Sequence, residues 1–260
     1  MGKEKLVSFD LKADFGFFKK PDLNDVYLTY NMLHKPALLG ILGAIIGLKG
    51  FQANGTLPEY YMCFKDLKVG VAPLEERQVC FAKHFVGYNN STGLASKEEG
   101  GILQVSEQIL IQPEYRCFLL LDIEKKKEKE LYVSLEECKA EFLPYMGKND
   151  FSAWWENFKE YDYRKFQPNE PYSVATLFIK KEEEGGVRKQ QVESFGFDAL
   201  SSEPISFYFE RLPLSYDEEL CQYTYADFVY AKGVEFQESF VIDDLYQIQK
   251  DQEKMVIQLF

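Results

Sequence analysis

Lys35-Pro36-Ala37-Leu38-Leu39-Gly40-Ile41-Leu42-Gly43-Ala44-Ile45-Ile46-Gly47-Leu48 is the stretch on which the fold turns. Pro36 suits a first helical turn, where a missing N–H costs nothing. Leu39, Leu42, Ile45 and Ile46 spread apolar surface around the cylinder, so the helix is expected to be largely buried. Gly40, Gly43, Ala44 and Gly47 fall on one stripe at helical spacing. Each glycine costs roughly 1 kcal/mol of helix propensity, so the stripe needs a packing reason, and close approach to a sheet is the expected one.

Upstream, Leu6 to Lys12 alternates, with Val7, Phe9, Leu11 and Ala13 on one face and Ser8, Asp10 and Lys12 on the other, the pattern of a half-buried strand. Downstream, Tyr60 to Val71 reads as a second strand, and Arg116 to Ile123 as a central strand apolar on both faces. Between them, Pro73 to Pro113 reads as irregular, and long irregular insertions in compact domains are functional or mobile. Lys125 to Glu130 reads as a charged turn. Ser134-Leu135-Glu136-Glu137 has the form of a capping box opening a second helix that reaches Leu143. The order strand, helix, strand, loop, strand, helix is most of a ferredoxin-like βαββαβ unit, with its last strand expected near Pro144–Asp150.

Beyond Phe151 the pattern changes. Ser152 to Tyr163 is aromatic-rich and of no clear type. Val174 to Lys180 and Gln191 to Phe197 read as strands flanking Glu183-Glu184-Gly185-Gly186, a hairpin signal. Ile205 to Leu212 and Tyr223 to Tyr230 read as further strands, and Leu245 to Gln258 as a terminal helix. The fold class expected is α+β.

Composition bounds the function. The chain has 260 residues, 46% of them apolar, with 22 Phe and 17 Tyr, enough to form a real core. The longest apolar run, Pro36 to Leu48, is shorter than the ~20 residues needed to cross a bilayer, so a soluble cytoplasmic protein is expected. Five scattered cysteines, Cys63, Cys80, Cys117, Cys138 and Cys221, have no CxxC spacing and read as free buried thiols. The net charge of −12 argues against nucleic acid. Its distribution softens the objection, because residues 1–122 carry 13 basic and 14 acidic side chains and the remainder 17 and 28. A surface facing RNA belongs in the first half. No phosphate loop, dinucleotide fingerprint or nucleophile elbow is present. With only His34 and His84, multi-histidine metal sites are impossible. No cofactor is expected.

Four blocks carry a family resemblance. Val7-Ser8-Phe9-Asp10-Leu11-Lys12-Ala13-Asp14-Phe15, followed by Phe17-Phe18-Lys19, resembles the opening of the fifth CRISPR-associated (Cas) protein family, within the RAMP superfamily. Leu28-Thr29-Tyr30 and then Lys35 to Leu48 resemble its second signature. Glu107-Gln108-Ile109-Leu110 with Pro113-Glu114-Tyr115-Arg116, and Tyr145-Met146-Gly147-Lys148-Asn149-Asp150, resemble two more. Glu210-Arg211-Leu212-Pro213 is a weaker echo. The resemblance covers residues 6–150, in the style of the type I-B branch.

The resemblance implies a ferredoxin-like RAMP domain over residues 1–150, with a thumb insertion at about 73–113; beyond it, the strand pattern and the charge mark 151–260 as a strand-rich acidic region. It implies a non-catalytic subunit of the Cascade complex that holds the 5′ handle of the crRNA and contacts the backbone and large subunits. Single-stranded RNA is held by cations along its phosphates and by flat side chains against its bases. The candidates are Lys12, Lys19, Lys20, Lys35, Lys83 and Lys97 as cations, and Phe18, Tyr30, His84 and Tyr88 as flat groups, with Gly147 and Lys148 in the last block. Two rivals stand beside this. In the type I-C branch the equivalent subunit cuts pre-crRNA without metal, using a tyrosine, a lysine and a histidine, types that Tyr30, Lys83 and His84 supply. A ferredoxin-like protein-interaction module would suit the acidic charge.

Overall fold

The structure is a computed structural model of the chain and describes residues 4–21, 26–53, 55–74, 79–90, 103–179, 206–220, 222–238, 240–250 and 253–260. It is a mixed α+β fold rich in strand. The first part runs β1 (Glu4–Ala13), β2 (Phe15–Gly16), β3 (Val26–Tyr27), α1 (Lys35–Ile45), α2 (Glu59–Phe64) and β4 (Lys68–Pro73). There follow β5 (Lys83–Asn90), β6 (Leu103–Ile111), β7 (Glu114–Asp122), α3 (Lys126–Glu136) and β8 (Ala153–Lys165). The rest is β9 (Phe178–Ile179), β10 (Ser206–Asp217), β11 (Gln222–Lys232), β12 (Leu245–Lys250) and β13 (Glu253–Gln258).

Four strands of the main sheet lie in the order β8-β1-β7-β4, each antiparallel to its neighbours. With α1 between β1 and β4, and α3 between β7 and β8, this is the βαββαβ order of a ferredoxin-like fold. Its last strand is β8, not the expected Pro144–Asp150. The aromatic-rich segment without a clear type is therefore the strand that completes the unit.

Other local expectations are corrected too. Tyr60 to Phe64 is helix α2, and only Lys68 onward is strand. Lys125 to Glu130 opens α3, and the residues that looked like a capping box end that helix. Glu128 supplies the N-terminal anchor instead: its buried carboxylate accepts from the Asp122 N–H at 2.7 Å and the Lys125 ammonium at 2.9 Å. Leu245 to Gln258 is the β12–β13 hairpin rather than a helix. The irregular Pro73–Pro113 stretch contains a long antiparallel ladder, Lys83↔Leu110 through Asn90↔Leu103. The Gln191–Phe197 strand and the Glu183–Gly186 turn lie outside the described residues.

α1 begins and ends as its sequence dictates. His34 is the N-cap, its Nδ1 accepting from the Ala37 N–H at 3.3 Å, and Pro36 sits in the first turn. At the other end Gly47 adopts φ +72°, and the Leu48 and Gly47 N–H groups reach the Gly43 and Ala44 carbonyls at 2.8 and 3.3 Å. That pair of bonds is a Schellman motif, which needs the left-handed residue. The glycine stripe has a different partner from the one expected. A Cβ on Gly43 would lie 2.3 Å from the Cβ of Tyr60, so the stripe admits α2 rather than the sheet.

The face of the sheet opposite the helices is closed at its apolar end. β12 pairs with β8 and β13 with β12. The sheet then curls until Val69 of β4 exchanges two backbone bonds with Phe260, at 3.2 and 2.9 Å. Inside the curl Leu6, Phe118, Leu120, Tyr246, Ile248, Ile257 and Leu259 form their own apolar cluster. Gly70 makes the closure possible, since a Cβ there would sit 2.8 Å from the Gln258 carbonyl oxygen. β10, β11 and β9 form a separate sheet, with β10 against α1. Of the described cysteines only Cys117 is buried; Cys63 is half-buried and Cys80 and Cys138 are exposed, all free thiols. Among the described residues no helix is long and apolar enough to cross a membrane.

Candidate nucleic-acid interface

The β5–β6 ladder is inserted between β4 and β7, and β6 carries β2 and β3 on its other side. Segments 17–20 and 28–30 run antiparallel beside it, joined by Tyr30 N–H to the Phe18 carbonyl and Lys20 N–H to the Leu28 carbonyl, both at 2.8 Å. The knot of the arrangement is Asn31, a buried side chain. Its amide oxygen accepts from the Phe81 N–H at 2.9 Å, and its amide nitrogen donates to the Val79 carbonyl at 3.3 Å. Its own N–H donates to Glu210 at 3.1 Å, and its carbonyl accepts from the Tyr115 hydroxyl at 2.6 Å. One asparagine thereby fixes the root of β5 to β7 and β10.

Around this root the structure gathers four of the lysines picked from sequence. Lys20 pairs with Glu210 at 2.7 Å and lies over the Tyr30 ring at 4.9 Å. Lys148 pairs with Glu107 at 2.9 Å, with its ammonium 5.7 Å from the Phe17 ring and 5.6 Å from that of Phe151. Both carboxylates are buried, so each lysine compensates a charge that would otherwise be stranded. The Lys83 ammonium donates to the Thr29 carbonyl at 3.4 Å. Burial holds it below the ordinary lysine value; Glu210 opposes that shift and the nearby Lys20 charge adds to it. Lys19 is exposed, its ammonium 3.7 Å above the Tyr27 ring.

The remaining candidates are placed elsewhere. Phe18 and Tyr30 are 3% and 4% exposed and meet the half-buried His34 ring edge-on, with centroids 5.7 and 5.6 Å away. They are core residues, corrected from the expected base-stacking surface, because the pairing of 17–20 with 28–30 turns both rings inward. Lys12 is paired with Glu156 at 2.8 Å and Glu114 at 3.7 Å on the main sheet. Lys35 is buried, donates to the Phe260 carbonyl at 3.1 Å, and is pushed down to about 8 by burial. Gly147 has φ +88°, and a Cβ there would fall 1.7 Å from the Phe17 carbonyl oxygen, so close backbone approach already accounts for this glycine. His84 is exposed on β5, Tyr88 pairs with Val105 with its side chain outside the described residues, and Lys97 lies outside them altogether.

Sequence reasoning missed the acids. Glu107 sits in Val105-Ser106-Glu107-Gln108-Ile109, and Glu210 follows Phe207-Tyr208-Phe209. A lone carboxylate in an apolar strand needs a cation, and that signal was available. Among the described residues no group of three or more His, Cys, Asp or Glu is placed to hold a metal ion.

No protein-family model and no curated protein sequence matches the chain. Solved structures do. The chain is similar to a CRISPR protein from Archaeoglobus fulgidus, at 14% identity and TM-score 0.48, covering 97% of this chain and 98% of that one. It is similar to a chain of a CRISPR RNA-guided surveillance complex, at 12% identity and TM-score 0.47, covering 88% and 91%. It is also similar to a chain of a Type III-B Cmr-beta complex bound to cognate target RNA and AMPPnP, at 8% identity and TM-score 0.47, covering 90% and 86%.

Proposed function

We propose that this chain is a subunit of a type I CRISPR surveillance complex that holds the 5′ handle of the guide RNA at the root of the β5–β6 hairpin, and that it binds this RNA without cutting it. The observation that carries the reading is the meeting of sequence blocks far apart in the chain. The Phe17 N–H from the first block donates to the Met146 carbonyl of the last at 3.0 Å, and Lys148 of the last block pairs with Glu107 of the third. These blocks resemble one family and build one surface, bordered by Lys19, Lys20, Lys83 and Lys148. A backbone subunit and a large subunit are the protein partners this reading implies.

The cutting alternative is disfavoured by geometry. Metal-free RNA cleavage needs a base, an acid and a charge stabiliser converging on one phosphate. Lys83 and His84 are neighbours on one strand and point to opposite faces, while Tyr30 is buried against His34.

The test is binding of a repeat-derived handle RNA to the chain assembled with its backbone subunit, titrated over salt. Affinity should fall as salt rises, and Lys19→Glu with Lys83→Glu should lower it at least tenfold, flattening the salt dependence by about 0.7 per lost phosphate contact. Equal affinity for an unrelated strand would reject the reading. Incubation of full repeat RNA in EDTA should leave it uncut; single-site cleavage lost in His84→Ala would move the protein to the processing class.

A further inference from the structure

On the face of the sheet away from the helices, β1 carries a buried charge. Asp10 is 2% exposed and accepts from Arg116 Nε at 2.8 Å and Nη2 at 3.1 Å. A third bond comes from the Asn157 amide at 3.0 Å. Asn157 reaches it from a bulge: the β1–β8 register shifts between Ser8 and Asp10, and Asn157 takes φ +56°. Bulges of this kind re-aim a side chain at the cost of one ladder position, and a non-glycine residue in the left-handed region is uncommon. Three elements are thus committed to fixing one guanidinium.

That guanidinium stands in the wall of an open cleft of about 670 Å³, within the range of small-molecule sites. Lys232 and Lys254 line it, and neither has a carboxylate partner among the described residues. Phe166 and Tyr172 form a ring wall with centroids 5.6 Å apart, the Tyr172 hydroxyl tied to the Phe240 carbonyl. Glu170 is the one acid in the lining among the described residues. Counting Asp10, which neutralises Arg116, three cations face two acids, and the excess positive charge, carried by Lys232 and Lys254, suits an anion. Asp10 holds the Nε and Nη2 edge of Arg116, so the guanidinium stands as a fixed charge beside the ammonium groups of Lys232 and Lys254, which suit a phosphate, and the aromatic wall suits a flat group beside it.

We propose that this cleft binds a nucleotide, with its phosphate at Arg116, Lys232 and Lys254 and its base on the Phe166 ring. The nucleotide belongs either to a single-stranded RNA or to a free ribonucleoside monophosphate. The RNA arm rests on the function proposed above and the monophosphate arm does not.

The test uses the full chain, a labelled single-stranded RNA and adenosine 5′-monophosphate, with Lys232→Glu/Lys254→Glu set beside Lys19→Glu/Lys83→Glu. Photocrosslinking should place RNA on the peptide holding Phe166 and Tyr172. The Lys232/Lys254 double reversal should abolish that crosslink and weaken binding at least tenfold, whereas the Lys19/Lys83 pair leaves the crosslink in place. Arg116→Lys, which keeps the charge and loses the fork, should also weaken binding. Monophosphate binding lost in the same variants would assign the free nucleotide; RNA binding alone would assign the strand. Absence of both the crosslink and monophosphate binding in the unsubstituted chain would overturn the proposal. Loss of RNA binding in the Lys19/Lys83 variant alone would reject the RNA arm of the cleft and leave the hairpin root standing, and the reverse pattern would reject the root.

Discussion

On the helix-covered face of the main sheet β1 contributes Val7, Phe9, Leu11 and Ala13, all buried in a core with Leu38, Leu42, Leu131 and Leu135 of α1 and α3. On the other face the same strand contributes Leu6, Ser8, Asp10 and Lys12. Leu6 packs in the curl of the sheet, Ser8 bonds the Tyr161 hydroxyl at 3.0 Å, and Asp10 and Lys12 form ion pairs. One strand thus faces a uniform apolar layer on one side and a gradient from apolar to charged on the other. The first face is closed by helices that lie between the strands in sequence. The second is closed by the last hairpin, and only its apolar end is sealed. The charged end stays open as a cleft lined by Arg116, Lys232 and Lys254, while the helix face carries the stability.

The largest effect that would sharpen this contrast is truncation on the helix face. Phe9→Ala should cost about 3–5 kcal/mol in denaturant unfolding, by lost transfer energy and a cavity. A loss below 1 kcal/mol would mean that this layer is not the principal core.

Acid separates the faces next. His34, behind the helix face, is held at about 3 by burial, against an ordinary 6.5. A depressed histidine keeps the folded state from taking up a proton that the unfolded chain binds. The stability associated with the neutral ring is therefore complete above pH 6.5 and lost as pH falls toward 3, at up to about 1.4 kcal/mol per pH unit. His34→Asn keeps a capping side chain and should flatten that slope in a pH series of unfolding midpoints. Asp10, on the other face, acts lower. Burial alone would raise its carboxyl, but the hydrogen bonds of Arg116 and Asn157 outweigh it and hold it below the ordinary 3.8. Its contribution is complete above that value and lost only as pH falls further, so Asp10→Asn should leave the slope between pH 6.5 and 4 unchanged.

Gly43→Ala tests the α1–α2 contact with a smaller expected loss, about 1–3 kcal/mol from overpacking against Tyr60, read as a lower midpoint at constant denaturant slope. The smallest effect belongs to the open end: Lys254→Ala should change stability by less than about 0.5 kcal/mol. A larger drop would show that this lysine is structural and break the contrast between a stabilising face and the proposed binding face.

Several errors of sequence reasoning share a cause with this asymmetry. Val7 to Ala13 alternates because one side meets helices, so the period is visible locally. Ala153 to Lys165 buries little beyond Ala153 and Trp155, and it is strand because β1 and β12 supply its ladder partners. Strand preference reflects such neighbours more than intrinsic backbone bias. Leu245 to Gln258 likewise shows too few apolar residues to declare its period, and pairing decides it. The lysines were visible as residue types, but whether each was available or engaged depended on Glu107, Glu156 and Glu210, which lie 41, 144 and 190 positions from Lys148, Lys12 and Lys20.

The sequence by itself determined the elements whose signals are local: β1, α1 with Pro36 in its first turn and its buried apolar surface, the apolar strand β7, and the strand–helix order of a ferredoxin-like unit. Strand alternation, helical periodicity and the fixed φ of proline act within a few residues, so they can be read without knowing what lies across from them. Tertiary structure alone decided which segment became the fourth core strand, what closed the second face, and which charges were matched. Hydrogen-bonded ladders and desolvated ion pairs take their free energy from partners far along the chain, and no local pattern records who those partners are.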